Sequence, residues 1–465
     1  MTKGPGRAEG RAEGGWHDVL VVGAGTAGTY LAWRLAEQGY SVAVVERDAR
    51  PDIGRRLDIF HLDSVRFAQF GVPEPDPDSD ELLAVYADGK AVSPDGSRAK
   101  LAEYGFHVMR LPLFLKRLHA LAEGAGALIV DGCAVREPLI EGGSVVGVRA
   151  VKGGEDVEYR ARLTVDASGT TAVLRTALPP SLGVETFRLG PEDVLYVVLR
   201  YIRWAHPRAL RPRGLNLWPL HKVFCNPGYS DEEAILGVGQ PGSYERAEEA
   251  LRDFLRTLPF PPFEVTKVER GVTPYRRPPW SLVGEGFVCL GDAACITKPF
   301  SGEGITAAWT LCSIAADVAG RLLRGGSGPL GRDSLWEINT RYFRGQGAKF
   351  AAMLAQLPGA AGMTAGEMDY LFEKDIIFSG PHITAVNRDY ELRLSPWESA
   401  RVAGWLAWGL LRRTISARSL KELLGSLAAS ERIARHYRLF PPDPGGFEEW
   451  RVRAETLCLG SSLDI

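Results

Sequence analysis

A buried strand, a glycine-rich turn, a helix and a second buried strand follow one another in HDVLVVGAGTAGTYLAWRLAEQGYSVAVVERD, residues 17–48. Val19 to Val22 form a continuous apolar run, which is typical of a parallel strand that is covered on both faces. Apolar residues four positions apart then predict a helix from about Thr26 to Gln38. A second apolar run, Ser41 to Val45, completes a β-α-β unit, which favours an α/β fold with a parallel sheet.

The turn carries the pattern Gly23-x-Gly25-x-x-Gly28, and Glu46 ends the second strand. Gly23 allows a tight turn, Gly25 lets the backbone approach a pyrophosphate, and Gly28 lets the helix pack closely on the strand. The helix N-terminus offers N–H groups to phosphates, and Glu46 suits the ribose hydroxyls of an adenosine. We therefore predict a dinucleotide site; the alternative is a glycine-rich turn in some other β-α-β unit. The candidate cofactor-binding residues of this unit are Gly23, Gly25, Thr26, Ala27, Gly28, Glu46 and Arg47.

Two later stretches bear on which dinucleotide binds. In ARLTVDASGTTAVLR, residues 161–175, an apolar strand ends at Asp166, and we expect a helix after Gly169. In GDAACITKPFSGEGITAAW, residues 291–309, an acid follows a buried strand at once. A turn with a proline and two glycines then leads into a helix of small residues.

These motifs, in this order and spacing, resemble the FAD-dependent oxidoreductases of the geranylgeranyl reductase and aromatic-hydroxylase superfamily over about residues 17–325. The resemblance implies FAD as cofactor, with Asp292 against the ribityl chain. It also implies a helix from about Gly304 whose N–H groups point at flavin N1 and O2. The alternative is that Asp292 only caps a turn and that Pro299 only ends a strand. The candidate flavin-binding residues here are Gly291, Asp292, Pro299, Gly302, Gly304 and Ile305.

Arg110 precedes a predicted helix in HVMRLPLFLKRLHALAEGAG, in which Pro112 is well placed near the helix start. The superfamily has an arginine or glutamine before this helix, near the pyrophosphate or the ribityl chain. Arg110 is therefore a further candidate cofactor residue; the alternative is a surface arginine at a strand end.

The predicted fold is α/β: a Rossmann-like FAD-binding domain, an inserted and mostly antiparallel β-sheet substrate domain, and a C-terminal helical region. We assign residues 16–75, 106–180 and 276–325 to the FAD-binding domain, and residues 76–105 and 181–275 to the substrate domain. Residues 1–15 are predicted to be a disordered tail, because they are Gly-rich and polar. Residues 326–465 form the predicted helical region.

The run GEGITAAW and the Trp218-Pro219 pair followed by Gly237-x-Gly239 resemble the geranylgeranyl reductases. Reduction of C=C bonds in an apolar, isoprenoid-like substrate is therefore the expected reaction. The reductases' Tyr-x-Trp-x-Phe-Pro signature is not intact in LNLWPLHK, and the cysteine often found soon after the ribose acid is missing. Hydroxylation of an aromatic or polyketide substrate and electron transfer to a quinone stay open. The Trp-x-Trp-x-Ile-Pro motif of flavin halogenases is absent.

No catalytic residue is assigned, although His61, Cys295 and Tyr275 could approach the flavin. A second glycine pattern, Gly237-x-Gly239-x-x-Gly242, contains Pro241, which removes an N–H where a phosphate loop should donate. We therefore expect no dedicated NAD(P)-binding domain, and the reductant would be transient NAD(P)H or a protein electron donor.

Composition excludes other classes. A net charge of −2 offers no basic excess for nucleic acid, and six cysteines without a C-x-x-C pair predict buried thiols rather than a metal site. No signal peptide or apolar run of membrane-spanning length is visible, so we expect a cytoplasmic protein. Helices rich in tryptophan and leucine over residues 399–427 indicate either packing on the FAD domain, which we favour, or contact with a membrane or lipid substrate.

Overall fold

A computed structural model describes residues 15–55, 57–206, 214–258, 260–376 and 378–459. Residues 1–14 of the predicted disordered tail and residues 460–465 lie outside the described residues. The strands are β1 (Trp16–Val22), β2 (Val42–Val45), β3 (Ile59–Asp63), β4 (Leu82–Val92), β5 (Ala99–Arg110), β6 (Leu128–Val130), β7 (Cys133–Glu141), β8 (Ser144–Lys152), β9 (Glu155–Asp166), β10 (Val194–Trp204), β11 (Leu215–Trp218), β12 (Val223–Pro227), β13 (Glu233–Pro241), β14 (Phe263–Pro274), β15 (Val283–Gly284) and β16 (Phe287–Cys289). The α-helices are α1 (Thr26–Ala36), α2 (Val65–Phe70), α3 (Leu111–Gly124), α4 (Tyr244–Thr257), α5 (Ile305–Leu323), α6 (Arg332–Tyr342), α7 (Ala348–Ala361), α8 (Ala365–Glu373), α9 (Gly380–Asp389), α10 (Pro396–Leu411), α11 (Ala417–Arg438) and α12 (Phe447–Leu459).

The first sheet has the order β15-β16-β9-β1-β2-β6, and the hairpin of β7 and β8 extends it from β9. β1 pairs in parallel with β2 and with β9, and β9 pairs in parallel with β16. Because neighbouring parallel strands end at the same edge, the segments after β1, β9 and β16 meet there. The three motifs read from the sequence, at Gly23, Asp166 and Asp292, therefore converge on one edge of this sheet.

The α-helix expected after Gly169 is wrong, since β9 is followed by short 3-10 turns, of which Gly169–Thr171 and Arg175–Ala177 come first. The reason is the buried carboxylate of Asp166, which accepts hydrogen bonds from the backbone N–H groups of Leu174 and Arg175 at 3.0 and 2.7 Å. These bonds draw the chain back over the end of the strand. Ala172, with φ of 43°, ends the first of these turns in a left-handed conformation, which a right-handed helix cannot contain.

The second sheet is mostly antiparallel, as predicted, with the order β14-β10-β13-β12-β11-β4-β5-β3. α4 covers one face through Ala247, Leu251 and Phe254. Ser243 caps this helix by accepting a hydrogen bond from the N–H of Arg246. The sheet also takes in β3 and the end of β5, which lie in chain segments that the sequence assigns to the FAD-binding domain.

This second sheet is strongly curled. The outer strand β3 approaches β10 and β14 at the opposite edge, where the N–H of Ile59 donates to the Tyr201 hydroxyl at 3.2 Å. That hydroxyl donates in turn to Glu269 at 2.8 Å. The concave face is filled at this end by buried apolar residues: Ile59, Phe106, Val108, Leu199, Tyr201 and Ile235. The other end of the concave face adjoins the first sheet.

The C-terminal helices form their own apolar cluster, in which Leu371 of α8, Leu406 of α10 and Leu423 of α11 are buried together. This cluster also contacts Ala91 and Leu220 of the second sheet. The expectation that the 399–427 segment packs on the FAD domain is therefore wrong, because α10 packs on α8 and α11 and leaves large apolar side chains exposed. Among the described residues, no helix is long and apolar enough to cross a bilayer. All six cysteines are free and buried, as predicted.

Candidate functional site

The three glycines of the first motif have the three separate environments that a pyrophosphate loop requires. Gly23 has φ of +106°, and a Cβ there would lie 2.4 Å from the Ala167 carbonyl oxygen. A Cβ on Gly28 would lie 2.1 Å from the Gly23 carbonyl oxygen, so helix and strand touch. A Cβ on Gly25 would meet nothing within 4 Å. The loop is thus packed tightly behind and open in front, where a phosphate group could sit.

Glu46 holds this loop from the neighbouring strand. Its carboxylate accepts hydrogen bonds from the N–H of Ala24 at 2.8 Å and from the N–H of Asp48 at 2.9 Å. Each carboxylate oxygen retains a second lone pair, with which Glu46 could bind ribose hydroxyls. Arg47, next in the chain, is largely exposed and pairs with Asp48. His119 of α3 supports the loop from behind, with Nε2 2.8 Å from the Ala24 carbonyl oxygen that accepts its hydrogen.

α1 and α5, like α2 and α3 of this domain, begin without a capping side chain. α1 starts after Gly25 and α5 after Gly304, and neither has an acidic residue in its first turn. Their first N–H groups therefore have no intrahelical acceptor and remain available to an anion or to polar ligand atoms. The helices lie side by side, because the indole N–H of Trp309 donates to the Thr26 carbonyl oxygen at 3.0 Å. Gly291 packs on Ala27, which a Cβ on Gly291 would approach to 3.0 Å.

Asp292 lies between these helix ends. It belongs to a 3-10 turn, Gly291–Ala294, that directly follows β16. A Cβ built on Gly304 would lie 3.5 Å from its Oδ1 and 3.8 Å from the Oγ1 of Thr297. The Thr297 hydroxyl is buried and, within the described part of the chain, has no hydrogen-bond partner. A polar ligand at this helix end would satisfy that hydroxyl.

The turn that leads into α5 is fixed by buried charges. The N–H of Gly302, whose φ is +70°, donates to the Lys298 carbonyl oxygen at 2.9 Å. The Lys298 ammonium is almost fully buried, donates to Asn387 Oδ1 at 2.9 Å and lies 3.5 Å from Glu303. Burial, with the Glu303 carboxylate adding to it, raises the pKa of nearby Asp63 to about 6. Pro299 is buried inside this turn, and Ile305 begins α5.

Arg110 stands at the end of β5 and is the N-cap residue of α3. Its Nε lies 3.4 Å from Asp58 Oδ1, and Asp58 also accepts hydrogen bonds from Tyr229 and Lys267 at 2.5 and 3.3 Å. The structure therefore brings Arg110 to the boundary between the two sheets, paired with a carboxylate. A role toward the cofactor stays a prediction.

At the end of the concave face that adjoins the first sheet, Val197, Gly239 and Gly271 form a shallow groove, which we call the trough. On β10, Val197 lies directly opposite Gly239 of β13 on one side and Gly271 of β14 on the other. A Cβ on Gly271 would meet nothing within 4 Å, and one on Gly239 would meet only Val197 and Leu195 at 3.7–3.8 Å. The trough extends to the turn that precedes α5 (residues 298–304), which we call the α5 turn. A Cβ on Gly302 in this turn would lie 3.5 Å from the side chain of Thr273 on β14. Gly237 and Gly239, the first two glycines of the pattern Gly237-x-Gly239-x-x-Gly242, therefore lie in strand β13 of the antiparallel sheet and not in a phosphate-binding loop.

Lys222 and Tyr275 face each other beside the trough. The Lys222 ammonium lies 4.9 Å from the centre of the Tyr275 ring. Lys222 has φ of +50°, which is unusual for a residue with a side chain, and its carbonyl oxygen accepts the N–H of Gly239 at 3.3 Å. Burial lowers the pKa of Lys222 and raises the pKa of Tyr275 to about 12. The sequence carries no signal for Lys222, which belongs to no motif, and Thr297 lies inside the 291–309 stretch without occupying one of its predicted site positions.

Burial shifts the pKa values of His61 and Cys295, two of the residues that the sequence suggested could approach the flavin. Burial lowers the pKa of His61 to about 4, so the imidazole is neutral at physiological pH. Burial raises the pKa of the Cys295 thiol to about 12, so it is not a thiolate nucleophile. Cys295 ends the 3-10 turn after Asp292 in a left-handed conformation, with φ of 56°.

Comparison of the amino-acid sequence with known proteins identifies the family to which the chain belongs. The profile described as FAD dependent oxidoreductase matches residues 18–55. A digeranylgeranylglycerophospholipid reductase of Sulfolobus acidocaldarius is 25% identical over 95% of this chain and 97% of its own length. A digeranylgeranylglycerophospholipid reductase 1 of Methanopyrus kandleri is 30% identical over 65% of this chain and 80% of its own length.

Solved structures share the fold. A geranylgeranyl bacteriochlorophyll reductase-like protein from Thermoplasma acidophilum superposes with a TM-score of 0.69 at 18% identity, covering 84% of this chain and 99% of the other. A flavin-dependent brominase superposes with a TM-score of 0.61 at 17% identity, covering 90% of this chain and 100% of the other. The glycine cradle, the uncapped helix ends and the unpartnered Thr297 hydroxyl fit the cofactor of these flavoproteins. The chain belongs to the FAD-dependent oxidoreductases of the geranylgeranyl reductase family, which includes the digeranylgeranylglycerophospholipid reductases.

Proposed function

We propose that this enzyme reduces C=C double bonds in an apolar, isoprenoid-like substrate; two of its relatives are named digeranylgeranylglycerophospholipid reductases. The observation that carries the proposal is the trough of Gly239, Val197 and Gly271, which offers a shallow apolar floor next to the α5 turn. A chain of flat alkene units can lie on such a floor, because no side chain rises from its two glycines. Burial of the apolar chain would supply binding energy without demanding polar partners.

The residues at the sheet edge would hold FAD. The loop at Gly25 and the first turn of α1 would receive the pyrophosphate, Glu46 the adenosine ribose, and Asp292 and Thr297 polar groups near the α5 end. Gly302 and Gly304 would let the backbone lie close to the ring. FAD bound there would supply the hydride for reduction of a C=C bond.

The accompanying proton must come from an acid or from water. Beside the trough, Lys222 and Tyr275 carry exchangeable protons, and the raised pKa of Tyr275 keeps its phenol protonated at neutral pH. We assign the reductant to NAD(P)H, binding transiently, or to a protein electron donor. Contact with a membrane surface is part of the proposal, since a lipid substrate resides in a bilayer.

The test is anaerobic turnover. The FAD-loaded enzyme, reduced with dithionite, is mixed with a glycerophospholipid that bears geranylgeranyl chains in detergent micelles, and the lipid is analysed by mass spectrometry. We expect a product that gains two hydrogens for each reduced bond and no oxygen. A product that gains an oxygen atom after admission of oxygen would indicate a hydroxylase instead. Rapid reoxidation by a quinone with unchanged lipid would indicate electron transfer.

A variant of the trough floor sharpens this test. Gly271→Leu places a branched side chain in open space, so FAD content should be unchanged while kcat/KM for the lipid falls about tenfold or more. The matched control is Val268→Leu on the same strand, where the side chain is 49% exposed on the other face. Equal kcat/KM in the two variants would contradict binding on the trough.

The start of α5 should also tune the flavin. Gly304→Val would push the backbone away from the ring and remove part of the helix-dipole stabilisation of reduced, anionic flavin. Such an interaction is worth about 0.3–1 kcal/mol, or about 5–20 mV for a two-electron couple, so the potential should fall by that amount. Dye-coupled reduction measures it, with Gly366→Val, where a Cβ meets nothing within 4 Å, as control. If the reduction potential of the Gly304→Val variant equals that of the parent, the start of α5 has a structural role and does not tune the flavin.

A further inference from the structure

The solvent face of α10 is apolar along its length. Trp397 is 78% exposed, Trp408 48% and Leu411 72%, although helices on protein surfaces normally turn polar residues outward. The other exposed positions of the helix, of which only Ser399 is polar, are Pro396, Ser399, Ala400, Ala403, Gly404, Ala407 and Leu410. The neighbouring α11 adds Leu424 and Leu427, which are 50% and 38% exposed. We call this set of residues the α10 face.

The inner side of α10, opposite the α10 face, is packed against the neighbouring helices. On this inner side, Leu406 and Gly409 are buried, and a Cβ on Gly409 would lie 2.8 Å from the Tyr370 ring. The Tyr370 hydroxyl donates to the Trp405 carbonyl oxygen at 2.7 Å. The helix is therefore held with its apolar side outward by contacts on its inner side.

Positive charge lies at the C-terminal end of the α10 face. The Arg412 guanidinium lies 5.6 Å from the centre of the Trp408 ring, and Arg413 follows it. Lys421 is exposed on the first turns of α11. Within the described part of the chain these three cations form no ion pair with a carboxylate, whereas Arg418 pairs with Glu422 at 2.9 Å. Tryptophan and leucine beside unpaired arginine and lysine are the composition of helices that lie in the interface of an anionic bilayer.

The α10 face is also connected to the substrate trough. The cluster beneath it contains Leu406 of α10 and reaches Leu220 in the turn between β11 and β12. Two residues later in the same turn, Lys222 lies against Tyr275 beside the trough. The cluster beneath the α10 face therefore ends two residues along the chain from Lys222, which lies beside the trough.

We propose that the α10 face is the surface by which this enzyme docks on an anionic lipid bilayer, with tryptophan and leucine side chains entering the interface and Arg412, Arg413 and Lys421 contacting the headgroups. The direction of delivery, from bilayer to trough, rests on the proposed function; the docking itself does not.

Vesicle sedimentation of the FAD-loaded enzyme tests the proposal. The protein is mixed with vesicles of phosphatidylcholine alone or with phosphatidylglycerol added. We expect binding to the anionic vesicles that weakens with added salt, and Trp408→Glu with Leu411→Glu should weaken it about tenfold or more. The matched control is Val452→Glu on α12, a side chain that is 51% exposed and should leave binding unchanged. Arg412→Gln with Arg413→Gln should reduce binding to anionic vesicles and leave the weak binding to phosphatidylcholine as it is.

Two outcomes would overturn the proposal. One is equal vesicle binding by the parent and the Trp408/Leu411 variant. The other is a concentration-dependent dimer in gel filtration that this variant loses, because the face would then bind a second copy. Turnover of micellar lipid is measured in parallel. If no isoprenoid is reduced while vesicle binding follows the expected pattern, the proposed function fails and the docking surface stands.

Discussion

Gly25→Ala should abolish tight FAD binding without changing the stability of the protein that lacks FAD. The added methyl group meets no protein atom within 4 Å, so the unliganded fold tolerates it. It would occupy the space in front of the loop, however, and move the pyrophosphate away from the N–H groups of α1. Hydrogen bonds to charged groups are worth about 1.5–3 kcal/mol each, so the dissociation constant should rise about tenfold to more than a hundredfold.

Gly28→Ala offers the informative contrast. Its Cβ would lie 2.1 Å from the Gly23 carbonyl oxygen, so this variant should lose stability even without FAD. Gly124→Ala, at the end of α3 with open space around it, is the neutral control. Thermal unfolding of the FAD-free proteins and titration with FAD separate the two effects. If Gly25→Ala binds FAD as the parent does, the loop is not the pyrophosphate site.

Asp292→Ala should release FAD more readily, with a loss of about 1–3 kcal/mol that corresponds to about a five- to 150-fold rise in dissociation constant. The reason is that its carboxylate lies beside Gly304 and the unpartnered Thr297 hydroxyl, where a ribityl hydroxyl could donate to it. Asp292→Asn keeps one oxygen acceptor, so its loss should be smaller.

Asp317→Ala is the control for this experiment, because Asp317 is an exposed acid further along α5 that pairs only with surface arginines among the described residues. Flavin fluorescence after dilution measures the release rate, and thermal unfolding of the FAD-free protein tests for damage to the turn. A rate that matches the parent's would mean that Asp292 only shapes the 3-10 turn.

Several features of this site could be predicted from the chain alone. The β-α-β unit from β1 to β2 appears within three residues of the expected bounds, because its apolar runs and glycines are local signals. The start of α5 after Gly304 was also predictable from its glycines. The helix expected after Gly169 was not predictable, since the buried Asp166 carboxylate accepts N–H groups from residues that come eight and nine positions later.

Other features depend on contacts between distant segments. The inclusion of β3 in the second sheet results from pairing with β5, nearly fifty residues away in the chain. The meeting of Lys222 with Tyr275, and the burial of Lys298 against Asn387, join residues from different elements. The sequence does not distinguish an apolar face of α10 that turns outward from one that packs inward, because tryptophan and leucine have the same hydrophobicity in both places.

Residues close together along the chain predict the dinucleotide-binding unit, the class of cofactor and the order of the motifs, because each of these depends on a local pattern. Only the folded chain establishes which face of the curled sheet adjoins the turn into α5, where Gly239 and Gly271 leave open space beside Val197, and which side of α10 meets the solvent. These outcomes follow from sheet curvature and helix packing. Both are set by the sum of many long-range contacts, and no short stretch of sequence encodes that sum.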